Sequence, residues 1–108
     1  MSELINGGRD LQKIVQSREK ACVLFYATWC PFSRMFLPIF EKHAGAHGQD
    51  FLRLPVDDDE SACEKYSVSV YPTVVYFENG KVSKRLDGIS GVGLNEKQLT
   101  GWIAACGL

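Results

Sequence analysis

From Ala21 to Ala27 the chain is an unbroken run of apolar and aromatic residues, and three residues later Cys30-Pro31 opens a helical pattern. A continuous apolar run suits a strand buried on both faces, which needs helices on either side of its sheet. The same short stretch, Phe25-Tyr26-Ala27-Thr28-Trp29-Cys30-Pro31-Phe32-Ser33, places a cysteine where the strand hands over to the helix. The first turn of a helix leaves backbone N–H groups unpaired, and the helix dipole adds partial positive charge there. Both favour thiolate over thiol, so Cys30 is a candidate nucleophile. Pro31 suits the first helical position, where its missing N–H would have had no partner.

The remaining elements follow from periodicity. Leu4-Ile5 reads as a short edge strand closed by Gly7-Gly8. Asp10 reads as the cap or opening residue of a helix with Leu11, Ile14 and Val15 on one face. Residues 17–20 read as a loop. From Pro31 the stripe Met35, Phe36, Ile39 and Phe40 predicts a helix to about His47, kinked at Pro38 and ended by Gly48. Residues 51–56 read as a strand. The acidic run Asp57-Asp58-Asp59-Glu60 then offers caps for a short helix over 61–66. Residues 68–71 are extended, because Pro72 biases Tyr71 away from helix. Residues 73–77 are a strand of β-branched and aromatic residues. Asn79-Gly80 forms a hairpin turn back to a strand over 82–86. Gly88, Gly91 and Gly93 mark a flexible loop, and Asn95 caps a last helix burying Leu99, Trp102, Ile103 and Cys106.

The order (β)αβαβαββα predicts an α/β fold: a central mixed β-sheet with helices on both faces, closed by an antiparallel hairpin. At 108 residues the chain is expected to form a single domain over 1–108. A net charge of −1 gives no electrostatic argument for a nucleic-acid or anionic-membrane partner. No apolar run reaches spanning length. The first residues lack a basic region followed by an apolar core, so a cytoplasmic protein is expected; it is also expected to be a monomer. The four cysteines, Cys22, Cys30, Cys63 and Cys106, are widely spaced and signal neither a disulfide framework nor a zinc site.

Taken together, Phe25-Tyr26-Ala27-Thr28-Trp29-Cys30, Val56-Asp57, Tyr66-Ser67-Val68 leading to Tyr71-Pro72-Thr73, Phe77-Glu78-Asn79-Gly80-Lys81 and the glycine-rich turn before the last helix resemble the thioredoxin family in order and spacing. The resemblance implies the thioredoxin fold and protein thiol–disulfide chemistry, with no cofactor and no metal. It implies that Cys30 is the attacking cysteine, Trp29 the aromatic flanking it, and Pro72 a cis-proline facing the sulfur. Trp29, Pro31, Phe32, Tyr71, Pro72, Gly91, Val92 and Gly93 would line a shallow groove for an extended peptide. The Tyr71 backbone would pair with the substrate strand there.

Two departures stand out. The second active-site cysteine of the family falls at Ser33, and its buried acid falls at Leu24. Without a thiol at residue 33 such an acid would have nothing to deprotonate, so the two losses agree. Arg53 falls where the family often carries a lysine, and is a candidate for tuning the thiolate. Four readings follow. One is a natural monothiol oxidoreductase, released by a substrate thiol or by glutathione. One is a trapping variant of a dithiol thioredoxin, recycled by a thioredoxin-reductase-like partner. One is a binding module that uses the groove without turnover. The last is a glutaredoxin-like iron–sulfur and glutathione protein, suggested by the likeness of Cys30-Pro31-Phe32-Ser33 to Cys-Gly-Phe-Ser.

Other chemically capable residues have plainer readings. Cys22, Cys63 and Cys106 lie in or beside apolar patterns and read as core residues. Cys63 is the one to watch as a regulatory or intermolecular thiol. His43 and His47 have metal-ligand spacing but no third ligand, and read as a solvated helix end. Phe36, Phe40, Phe51, Phe77 and Trp102 read as core packing.

Overall fold

The computed structural model describes residues 2–47, 50–57 and 59–108; the expected helix stop at Gly48 and the Asp58 part of the acidic run lie outside the described residues. The elements are β1 (Glu3–Leu4), α1 (Gly8–Gln16), β2 (Lys20–Tyr26), α2 (Pro31–His47), β3 (Phe51–Pro55), α3 (Ser61–Tyr66), β4 (Thr73–Glu78), β5 (Lys81–Leu86) and α4 (Glu96–Cys106). The strands form one mixed sheet in the order β1-β3-β2-β4-β5. β1 and β2 both run parallel to β3, whereas β4 is antiparallel to β2 and to β5.

β2 is central, and its alternation builds two cores. Ala21, Val23, Phe25 and Ala27 face Leu11 and Val15 of α1 and Ala62 and Cys63 of α3. Cys22, Leu24 and Tyr26 face Phe36, Phe40 and Ala44 of α2 and Leu99, Trp102 and Ile103 of α4. Burial on both faces is why the run carries no polar alternation. Each large side chain so enclosed, Phe25 and Phe36 among them, contributes about 1.5–3 kcal/mol of transfer free energy.

Several local expectations shift. α1 is capped by Gly7, which leaves Asp10 inside the first turn. The inward stripe of α2 is Ser33, Phe36, Phe40 and Ala44. That phase turns Met35 outward, 72% exposed, because neighbours on a helix point about 100° apart. α2 runs through Pro38 to His47, as the spacing predicts. The glycine-rich segment is a bonded turn rather than a loose loop: Ile89 bridges Gly93, whose N–H returns to the Ile89 carbonyl at 2.8 Å. Asn79 and Gly80 take φ of 52° and 83°, the positive values a tight β4–β5 hairpin requires. Asn95 and Gln98 form the capping box of α4.

Candidate active site

The site lies at the C-terminal end of β2, where three backbone segments meet. Ala27 ties the first of these together. Its carbonyl accepts from Cys30 N at 3.1 Å, and its N–H donates to Ser33 Oγ at 3.2 Å. The Cys30 carbonyl then accepts the first helical bond of α2 from Arg34 N at 3.0 Å. Cys30 thus caps α2, at the electropositive end of that helix.

The second segment is the Pro72 bend. The Tyr71–Pro72 peptide is cis. Cys30 Sγ lies 3.9 Å from the Tyr71 carbonyl oxygen, a long S–H···O contact. Thr73 Oγ1 braces the bend, donating to the Val70 carbonyl at 2.6 Å and accepting from Gly88 N at 3.2 Å. Gly88 has no room for a side chain, since a Cβ there would lie 2.2 Å from the Pro72 carbonyl oxygen.

The third segment is the 89–93 turn. Gly93 packs against Phe32, and a Cβ on Gly93 would approach the Phe32 Cβ to 2.9 Å. Phe32 and Tyr71 are half-buried against the same core cluster as Cys30. Trp29 is 67% exposed, and Val92 and Ile89 stand out from the turn. The structure therefore joins Cys30 directly to Tyr71 and Phe32 directly to Gly93. Pro31 is exposed at the start of α2, and Gly91 stands at the exposed tip of the turn. Cys30 itself keeps 8% of its surface, a narrow opening.

Ser33 is wholly buried, with its hydroxyl serving Ala27. Leu24 is packed in the apolar cluster beneath α2. Arg53 is committed elsewhere: it donates to the Ser2 carbonyl and to Ser2 Oγ at 3.2 Å, and stands 3.9 Å from Glu41. Its guanidinium serves Ser2, just ahead of β1.

Asp57 does more than the sequence suggested. Its carboxylate accepts from Thr28 N at 3.0 Å and from Thr28 Oγ1, which holds the loop carrying Trp29 and Cys30. Those bonds hold its carboxyl below the ordinary range. An acidic run after a strand reads as a cap supply, and only the fold brings Thr28 to its tip. Asp59, not Glu60, makes the capping-type bonds: its oxygens accept from Ser61 N and Gly8 N, each at 3.0 Å. All four cysteines are unpaired. Burial pushes the thiols of Cys22, Cys63 and Cys106 up, which keeps them protonated. His47 stacks on Phe51 with ring centroids 5.1 Å apart.

A cysteine capping a helix beside a cis X–Pro bend, on a five-stranded mixed sheet, defines the class of thiol–disulfide oxidoreductases. The Thioredoxin family profile matches residues 6–105, and the chain belongs to the thioredoxin family. It is 37% identical over 90 residues to Thioredoxin-1 of Caenorhabditis elegans, covering 82% of this chain and 78% of that one. It is 34% identical over 84 residues to endoplasmic reticulum resident protein 44 of Bos taurus, which is 70% of this chain but 21% of that longer protein. The X-ray structure of Fasciola hepatica thioredoxin superposes with a TM-score of 0.82 at 30% identity, over 95% of this chain and 97% of that one.

Proposed function

We propose that this protein exchanges protein disulfides through Cys30 alone and depends on an external thiol for release. Cys30 Sγ gives its proton to solvent and attacks one sulfur of a substrate disulfide. The new S–S bond joins Cys30 to the substrate, and the second substrate sulfur leaves as a thiolate and takes up a proton. Ser33 has no sulfur with which to attack that bond, so the intramolecular advantage of a second cysteine is lost. A substrate thiol attacks the mixed disulfide to form a new substrate disulfide and restores the Cys30 thiol, which completes an isomerisation. Glutathione restores the Cys30 thiol in the same way and leaves a substrate–glutathione disulfide, which a second glutathione converts to substrate thiol and oxidised glutathione to complete a reduction. The observation that carries this reading is Cys30 Sγ at 3.9 Å from the Tyr71 carbonyl, beside the exposed Trp29.

The enclosed Ser33 hydroxyl and the apolar Leu24 support a settled single-thiol site. Phe32 against Gly93 makes the groove wall apolar and suits an extended protein segment with an apolar flank. Protein disulfides and a reductase-type or glutathione recycling partner are the partners proposed. Four unpaired cysteines suit the reducing cytoplasm proposed for the chain. The small opening over Cys30 favours a second reading, a groove that captures partners without turnover. Insulin reduction with glutathione as the recycling thiol separates the two. The proposal expects activity that Cys30→Ala abolishes and no large gain in reductase-driven turnover for Ser33→Cys; a large gain would point to a dithiol native form instead. No activity in the unaltered protein supports the capture reading instead.

A further inference from the structure

Tyr71 faces two thiols at once. Its backbone carbonyl lies 3.9 Å from Cys30 Sγ, while its phenol O–H donates to Cys63 Sγ at 3.3 Å. Cys63 belongs to α3, an element that otherwise has no part in the site, and is 5% exposed. α3 is a firm base for such a contact. Asp59 Oδ1 holds its first turn through Ser61 N, and Arg85 donates to the carbonyls of Tyr66 and Ser67 at its end. Thr73 and Gly88 brace the far side of the bend, after Pro72. The Tyr71–Cys63 bond braces the near side.

We propose that Cys63 is a positioning residue for the exchange reaction: by accepting the Tyr71 hydroxyl it fixes the ring, and with it the Tyr71 peptide group that faces Cys30 and receives a substrate strand. The proposal rests on the groove reading above. Both partners are in the protonation state it needs. Burial pushes the Cys63 thiol up, and burial together with Cys63 pushes the Tyr71 phenol up, so at neutral pH the phenol keeps the proton it donates. An alternative role for Cys63 is volume alone, since a free cysteine packs as a small apolar residue.

The test measures the rate at which Cys30 forms a mixed disulfide with two reagents. One is an extended peptide carrying a disulfide, which needs the strand-pairing surface. The other is hydroxyethyl disulfide, which does not. Cys63→Val and Tyr71→Phe are each expected to slow the peptide reaction about fivefold, the scale of one lost hydrogen bond, and Cys63→Val is expected to leave the small reagent within about twofold. The double variant is expected to match either single variant, because both remove one interaction. Cys63→Ser keeps an acceptor and is expected to stay near the unaltered rate. Multiplying effects in the double variant, unchanged peptide rates, or equal slowing with both reagents would each overturn the positioning role. If the unaltered protein forms no adduct with either disulfide, the exchange reading itself fails and this role with it. An active unaltered protein with independent variants removes the Cys63 role only.

Discussion

Ser33 Oγ is enclosed beneath the start of α2 and accepts the N–H of Ala27, the residue just past the central strand. Ser33→Ala removes that acceptor and leaves a buried donor unpaired. The expected loss is about 1–3 kcal/mol, read by urea unfolding. An unchanged midpoint would mean that the hydroxyl contributes nothing to the fold. The other thiols are expected to be silent where Cys30 is not. Burial keeps Cys22, Cys63 and Cys106 protonated, and the thiolate is the reactive species. Brief alkylation with iodoacetamide near neutral pH, read by peptide mapping, should label Cys30 first; labelling spread evenly over the four would contradict this. At this scale the sequence was informative about type and weak about partners. Cys30, Ser33 and Tyr71 stood out because their positions relative to Pro31 and Pro72 are local facts. That Arg53 answers to Ser2 and Glu41, or that Cys63 meets the Tyr71 phenol, depends on contacts between distant residues.

Among the elements, the loops carry the finer design. Asp57 and Asp59 join strand, helix and loop through hydrogen bonds that hold both carboxyls below their ordinary range. In the unfolded chain each titrates near about 3.9. The folded state binds those protons less tightly, so the stability they add is complete above about pH 4. It is lost as pH falls through that value toward the lower folded one. The Asp57→Asn, Asp59→Asn double variant should therefore show a shallower fall in unfolding midpoint from about pH 5 to pH 2. Parallel curves would show that these carboxylates are not linked to folding. Gly88→Ala forces a methyl against the Pro72 carbonyl. It is expected to cost about 1–3 kcal/mol, an overpacking penalty, and to slow exchange at Cys30; a variant with unchanged midpoint and rate would contradict that close approach. Element identity was legible where one period dominates, as in β2 and β4. Phase was less so: Met35 fitted a helical stripe by spacing, yet Ser33, a polar residue, sets the buried face.

For the molecule as a whole, the two-sided burial of β2 dictates the rest. It requires a helical layer on each face, and it carries the chain to the sheet end where Cys30, Pro72 and Gly93 converge. Family membership over residues 6–105 agrees with that architecture. The strand order was legible only as a class, because periodicity reports which residues are buried and not which strand they pair with. The central claim concerns what Cys30 can start and Ser33 cannot finish. Its most direct measurement is intact-mass analysis after mixing the protein with a peptide disulfide, with and without a later addition of glutathione. The account predicts one peptide adduct, mapped to Cys30, that persists until glutathione is added and then disappears. An adduct on another cysteine, no adduct, or one that added glutathione does not remove would contradict it.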